Sequence, residues 1–258
     1  MSRLKSNFKQ FIKQIAGARL QQRLRKFYLT RQIMKGQGFR ELELAALRFL
    51  ISAGDYVADI GANAGAYTKE LSSLVGSQGC VYSFEPVSKN YEILYHLVRK
   101  AGLNNVKTYP YAIGSRTMEA TIVVPDMEGF TGYYWAYLSE SDKGGASERV
   151  QMHTLDELLT DRLLHRLDFI KCDVEGSELH VLYGSRDLMS RFIPGWLIEV
   201  SRDTSNDVFN LFRASGYVSY VYNGMLIETE RYRDKEYSNY FFIHPKSIIR
   251  KRAIPLIR

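Results

Sequence analysis

From Tyr56 onward the chain alternates short, continuously apolar runs with longer stretches of helical period. Residues 56–60, 81–84, 106–111, 167–172 and 196–200 are hydrophobic without strict alternation, the pattern of strands buried on both faces. Residues 67–75, 90–101, 177–190 and 206–214 carry apolar side chains at three- and four-residue steps and predict helices. Strand and helix in alternation, with short links, give a parallel sheet with right-handed crossovers. The end differs: residues 217–222 and 239–244 flank an Asn223-Gly224 turn signal and a charged stretch, which predicts a closing antiparallel strand pair. The expected fold is α/β, a mostly parallel sheet with that antiparallel pair at its C-terminal end.

Two further segments lie outside this alternation. Residues 6–34 read as a basic amphipathic helix, with Phe8, Phe11, Ile12, Ile15, Leu20, Leu24 and Phe27 recurring at helical spacing among Lys and Arg. After Gly36-Gln37-Gly38, a second helix is expected over 40–51. An inserted segment, 120–150, holds an aromatic-rich loop with Phe130, Tyr133, Tyr134, Trp135 and Tyr137; a loop this long is usually functional or mobile. The expected organisation is a helical extension over 1–38, a domain over 39–245 that carries the insert, and a basic tail over 246–258.

Charge changes the picture more than composition does. The 258 residues are 45% hydrophobic and 24% charged, ordinary for a globular protein, and no long uncharged apolar run exists to span a bilayer. The net charge of +7 is concentrated at the ends: residues 1–40 hold eleven Lys/Arg and residues 246–258 hold five, with no acid in either. Residues 41–245 are therefore acidic, so the basic total says nothing direct about the domain's substrate. Three readings of the ends stay open: their apolar stripes pack on the domain, they lie at an anionic membrane surface, or they bind nucleic acid. Cys80 and Cys172 fall on strands expected to be separated by another, too far for a bridge, and a reducing, cytoplasmic compartment is expected.

Candidate chemistry starts at Asp59-Ile-Gly61-Ala62-Asn63-Ala-Gly65, which joins the first strand to the first helix, where a doubly wound fold binds its cofactor. Gly61 and Gly65 let backbone approach a ligand closely, and the helix start offers free N–H groups. Asn63 breaks the dinucleotide-binding spacing, and the Gly-Lys-Ser/Thr of a phosphate loop is absent. Glu85 ends the second strand, where a carboxylate can accept from both hydroxyls of a ribose. Asp59 is a carboxylate in an otherwise apolar strand, expected to be hydrogen-bonded and to organise the glycine loop.

These residues, together with Phe84-Glu85-Pro86, Ala112-Ile113-Gly114, Thr154-Leu155-Asp156-Glu157-Leu158 and Asp168 to Glu178, resemble the FkbM-type methyltransferases in content and order. The resemblance spans roughly 40–202. It implies the class I methyltransferase Rossmann-like fold, preceded here by N-terminal helices. It also implies S-adenosyl-L-methionine as cofactor and O-methylation of a sugar, glycan or natural product. By the same resemblance Asp59, Gly61, Ala62, Asn63, Gly65, Glu85, Pro86, Ala112 and Ile113 would form the cofactor site.

Asp173 and Glu175 follow the fourth strand and Glu199 ends the fifth, at the sheet edge that faces the transferred group in this fold class. A hydroxyl is a weak nucleophile and benefits from a base or a metal, so these three are the catalytic candidates. The Asp173 segment loosely resembles that of metal-dependent sugar O-methyltransferases, making Asp173 and Glu199 candidate Mg²⁺ ligands. The Asn/Asp-Pro-Pro-Tyr/Phe signature of amine methylation on bases is absent, which favours a small-molecule or glycan acceptor over nucleic acid. The basic ends and the aromatic loop keep a nucleic-acid-directed enzyme as the alternative, with a non-catalytic adenosylmethionine-binding module as the third.

Overall fold

The chain begins with α1 (Ala18–Met34) and α2 (Glu43–Leu50), then enters the sheet at β1 (Tyr56–Ile60). From there it alternates through α3 (Ala66–Val75), β2 (Cys80–Phe84), α4 (Ser88–Lys100) and β3 (Val106–Tyr109). The computed structural model describes residues 17–37, 41–124, 126–127, 130–131, 137–139, 146–233 and 236–258. The run expected at 106–111 divides at Pro110: with no N–H to donate, proline ends β3, and β4 (Tyr111–Ile113) joins a different sheet.

The insert begins and ends in paired strands. β5 (Met118–Val124) and β9 (Ala146–His153) pair antiparallel from Met118↔Met152 to Val124↔Ala146. Within the insert, β6 (Asp126–Met127) and β7 (Phe130–Thr131) form a hairpin, and β8 (Tyr137–Ser139) adds to β5. With β4 along β9, these strands give a second sheet of order β4-β9-β5-β8. Tyr133, Tyr134 and Trp135 lie outside the described residues, as do Phe8, Phe11, Ile12 and Ile15.

The main sheet resumes with α5 (Leu155–Thr160), β10 (Phe169–Cys172), α6 (Glu178–Tyr183), α7 (Arg186–Phe192), β11 (Gly195–Glu199) and α8 (Ser205–Ala214). It closes with β12 (Val218–Tyr222), β13 (Leu226–Glu228) and β14 (Asn239–Ile243). Its order is β3-β2-β1-β10-β11-β14-β12-β13, with β3 to β11 parallel and β14 running against both neighbours. This is the class I methyltransferase Rossmann-like arrangement. Strand residues alternate between two layers of core. Ala58, Tyr82, Ile170 and Trp196 face α6 to α8, while Val57, Val81, Phe169 and Leu197 face α2, α3 and the C-terminal segment. Cys80 and Cys172 are buried free thiols on strands separated by β1.

Two expectations about helices change. The segment 177–190 is two helices that part at Gly184, which sits against the backbone of Gly114, where any Cβ would overlap the Gly114 carbonyl. Asp156 then caps the second helix, accepting from the N–H groups of Asp187 at 3.1 Å and Leu188 at 2.9 Å. The tail 246–258 is part of the domain: α9 (Ile248–Ala253) and the turn Ile254–Leu256 bury Ile249, Ala253 and Leu256. Among the described residues, no helix is long and apolar enough to cross a membrane.

Candidate active site

The loop after β1 is built by backbone. The N–H groups of Gly61 and Ala62 both donate to the Phe84 carbonyl, at 3.0 and 2.9 Å, which draws the glycine loop onto the end of β2. Gly61 has φ of 76°, and a Cβ there would overlap the Asp173 carbonyl oxygen. Glycine is required on both counts, conformation and space. Asn63 continues the loop with φ of 49°, and its buried Oδ1 has no hydrogen-bond partner among the described residues.

Glu85 is 4% exposed. Its carboxylate accepts from the Asn63 N–H at 2.7 Å, the Val87 N–H at 2.9 Å and the Asn90 amide at 3.4 Å. Burial outweighs these bonds and pushes its pKa up to about 7. Asn90 is itself held from outside the domain, where the Arg25 guanidinium of α1 donates to its Oδ1 at 2.7 Å.

At the other side of the loop, Lys171 lies on β10, 5% exposed. Its ammonium donates to Asp173 at 3.1 Å and to the Gly61 carbonyl at 3.4 Å, and it lies 3.8 Å from Asp59. Burial works against its charge, but Asp173 and Asp59 outweigh that and hold its pKa above the ordinary lysine value. Asp59 also accepts from the Thr68 hydroxyl at 2.6 Å, and burial raises its carboxyl pKa. Burial likewise opposes ionisation of Asp173, yet Lys171 and a hydrogen bond with Glu199 keep its pKa below the usual range. Glu199 is pushed up to about 8 by burial and by the Asp173 charge. Glu175, in the left-handed region at φ 52°, is pushed up to about 7 by burial and the same charge. Single ligand oxygens of Asp173, Glu175 and Glu199 all lie within 4.8 Å of one another, an oxygen donor set of the kind hard divalent cations use.

An open cleft runs between these two clusters. Of the predicted residues, Gly61, Asn63, Glu85, Pro86, Ala112, Ile113, Asp173 and Glu175 line it. Glu199 lies behind Asp173. Asp59, Ala62 and Gly65 also stand behind the wall. Asp59 braces Lys171 and Thr68, Ala62 packs with Leu94 and Val98, and Gly65 starts α3 at φ 90°. Glu178 turns back to accept from Val174 and Gly176 N–H groups, both at 3.1 Å, and so shapes the turn carrying Glu175. His153 pairs with Glu157 and His180 with Ser115, neither on the cleft.

Sequence reasoning missed Asn90, Tyr111 and Ile122 in the lining. Asn90 sits in the first turn of a helix, where a polar residue carries no special signal. Tyr111 and Ile122 reach the cleft only through the second sheet. That sheet is fastened beside the cleft by Glu148, which accepts from the Ser88 N–H at 2.8 Å and its hydroxyl at 2.7 Å.

The model of the methyltransferase FkbM domain matches residues 59–219, which hold the glycine loop, Glu85 and the three carboxylates. The chain belongs to the FkbM methyltransferase family. The family's enzymes are S-adenosylmethionine-dependent. A solved FkbM methyltransferase from Methylobacillus flagellatus KT is 19% identical, over 73% of this chain and 43% of its own, with a TM-score of 0.49. An S-adenosylmethionine-dependent O-methyltransferase from Thermotoga maritima is 13% identical, over 83% of this chain and 69% of its own, with a TM-score of 0.48. The AMB antimetabolite synthetase AmbE of Pseudomonas aeruginosa is 27% identical over 68% of this chain. This FkbM-family chain spans 10% of AmbE's length and less than half of the M. flagellatus protein's.

Proposed function

We propose that this chain methylates a hydroxyl group of a small-molecule or glycan acceptor, with S-adenosylmethionine held between Glu85 and the glycine loop. The residues present fit that cofactor. Beside its three bonds Glu85 keeps one acceptor site free on Oε2 for a ribose hydroxyl, and Asn63 Oδ1, without a partner among the described residues, offers a second acceptor. Bound there, the cofactor supplies an electrophilic methyl group on a sulfonium centre.

One observation carries the reaction: a carboxyl titrating near neutrality, Glu175, stands on the cleft wall within 4.8 Å of an ionised one, Asp173. Asp173 is committed to Lys171 and Glu199, so its fixed charge orients the acceptor hydroxyl. Glu175, with its pKa close to working pH, takes the proton. Glu199 stays protonated below about pH 8 and donates to Asp173. The acceptor is a neutral hydroxyl compound rather than a polyanion, because the lining includes three acids and, among the described residues, no Lys or Arg. The name of AmbE, an antimetabolite synthetase, is in keeping with a natural-product acceptor.

Methyl transfer from labelled S-adenosylmethionine to fractionated glycans and small metabolites tests the reading. Glu175→Gln and Asp173→Asn each lower turnover about 10²-fold, with affinity for adenosylhomocysteine nearly intact. Unchanged turnover in both variants removes the acid–base assignment. The same carboxylates are the set a Mg²⁺ would use, and loss of turnover in EDTA, restored by Mg²⁺, reassigns them as ligands.

The pH dependence has a definite sign. The fold favours neutral Glu85, Glu175 and Glu199, so their contribution to stability is full below about pH 4.5 and is lost as pH rises to about 7–8. The empty protein therefore melts lower at pH 8.5 than at pH 5.5 (about three pH units apart). Adenosylhomocysteine affinity moves the opposite way, rising through about pH 7 as Glu85 ionises, and Glu85→Gln flattens that rise. Titration calorimetry across the range checks it.

A further inference from the structure

Helix α1 leaves a run of apolar side chains in solvent and docks partly through polar ones. Gln22 donates to the Lys89 carbonyl at 2.8 Å, Arg25 to Asn90 at 2.7 Å, and Lys26 pairs with Glu92. Thr30 is fully buried. Leu29 and Ile33 are half-buried, but five other apolar side chains, Leu20, Leu24, Phe27, Tyr28 and Met34, are between 41% and 56% exposed. At about 100° per residue these five fall on one side of the helix. Arg19, Arg23 and Arg31 are exposed among them, and α1 contains no acid. Lys100 of α4 adds a further cation over the Phe27 ring, at 5.6 Å.

We propose that α1 is the docking surface for an anionic membrane, lying in the headgroup plane with Leu20, Leu24 and Phe27 immersed and Arg19, Arg23 and Arg31 on lipid phosphates. Apolar residues interleaved with cations are what an interfacial helix needs, since burial of the first and attraction of the second add together. Charge selects lipid over a second copy of this chain, because self-pairing of this face would set arginine against arginine with no acid to relieve them. The opposite face is hydrogen-bonded to α4, so the helix can bind lipid without leaving the domain.

Vesicle flotation of the full chain tests this. The protein floats with phosphatidylglycerol-rich vesicles at low salt, stays behind with pure phosphatidylcholine, and is released as salt shortens the Debye length. Leu24→Glu/Phe27→Glu weakens binding about tenfold or more, and Arg19→Gln/Arg23→Gln/Arg31→Gln about a hundredfold, at roughly a factor of five per charge. All five side chains are exposed, so adenosylhomocysteine binding stays normal in both variants and reports an intact domain. That readout also separates a failure here from a failure of the methyltransferase reading. Absence of flotation, or flotation unaffected by the Leu24/Phe27 pair, overturns the proposal. So does a concentration-dependent dimer, seen by sedimentation, that the Leu24/Phe27 pair abolishes.

Discussion

Helices α1 and α9 are both basic, both studded with aliphatic residues and both free of acids, yet the molecule uses them in opposite ways. α9 turns its apolar face inward: Ile249 and Ala253 are fully buried, and the chain beyond it buries Leu256 and bridges Ile257 to Leu226. Its cation is also spent inward, since Arg252 donates to both oxygens of Asp55 and, at 3.0 Å, to the Leu50 carbonyl. α1 spends Arg25 and Lys26 on Asn90 and Glu92 of α4 and leaves Leu20 and Leu24 outside. Amphipathic spacing marks two faces on a helix but not which of them meets the protein. The receiving surface decides. The floor under α9 is apolar, built from α2 and the sheet, whereas α4 offers α1 the polar Lys89, Asn90 and Glu92.

The sharpest way to break this contrast is Arg252→Ala. Asp55 is 4% exposed, and stripping its cation leaves a buried charge. The expected loss is about 3–5 kcal/mol, or roughly 10 °C in melting temperature. Next is the matched pair Ile249→Ala and Leu24→Ala. The first opens a cavity in the core and is expected to lower stability by about 2–4 kcal/mol in urea unfolding; the second stays within about 0.5 kcal/mol. Equal effects would mean that α1 is packed like α9. The smallest effect is expected from Arg25→Ala, which loosens Asn90 beside Glu85. Adenosylhomocysteine should bind about fivefold more weakly, roughly 1 kcal/mol, with little change in melting temperature.

What could be read from the chain follows the range of the forces involved. The strands were legible because burial on both faces writes itself as unbroken apolar runs, and the glycine loop because Gly61 and Gly65 meet a local conformational demand. Glu85 was legible from its place at a strand end. The parting at Gly184 was not, since that glycine sits against Gly114, remote in sequence. Nor was the second sheet, held beside the cleft by Glu148 on Ser88. Asn90 escaped for a similar reason: its importance comes from Arg25, 65 residues earlier, and from Glu85. The three carboxylates could be nominated but not ranked, because their order of acidity depends on Lys171 pointing back between Asp59 and Asp173.

The close approach of Gly61 to Asp173 has a mechanical consequence. Methyl transfer needs three atoms in one line, and small misplacements are heavily penalised. Here the loop that would hold the donor rests on the main chain that carries Asp173 and Glu175, with Lys171 pinned to both the loop and Asp173. Alignment is thereby a dimension of the backbone, as in a jig whose two jaws are cut from one block. The cleft wall from Tyr111 to Ile122 belongs to a separate sheet, so it can be recut without shifting the jaws.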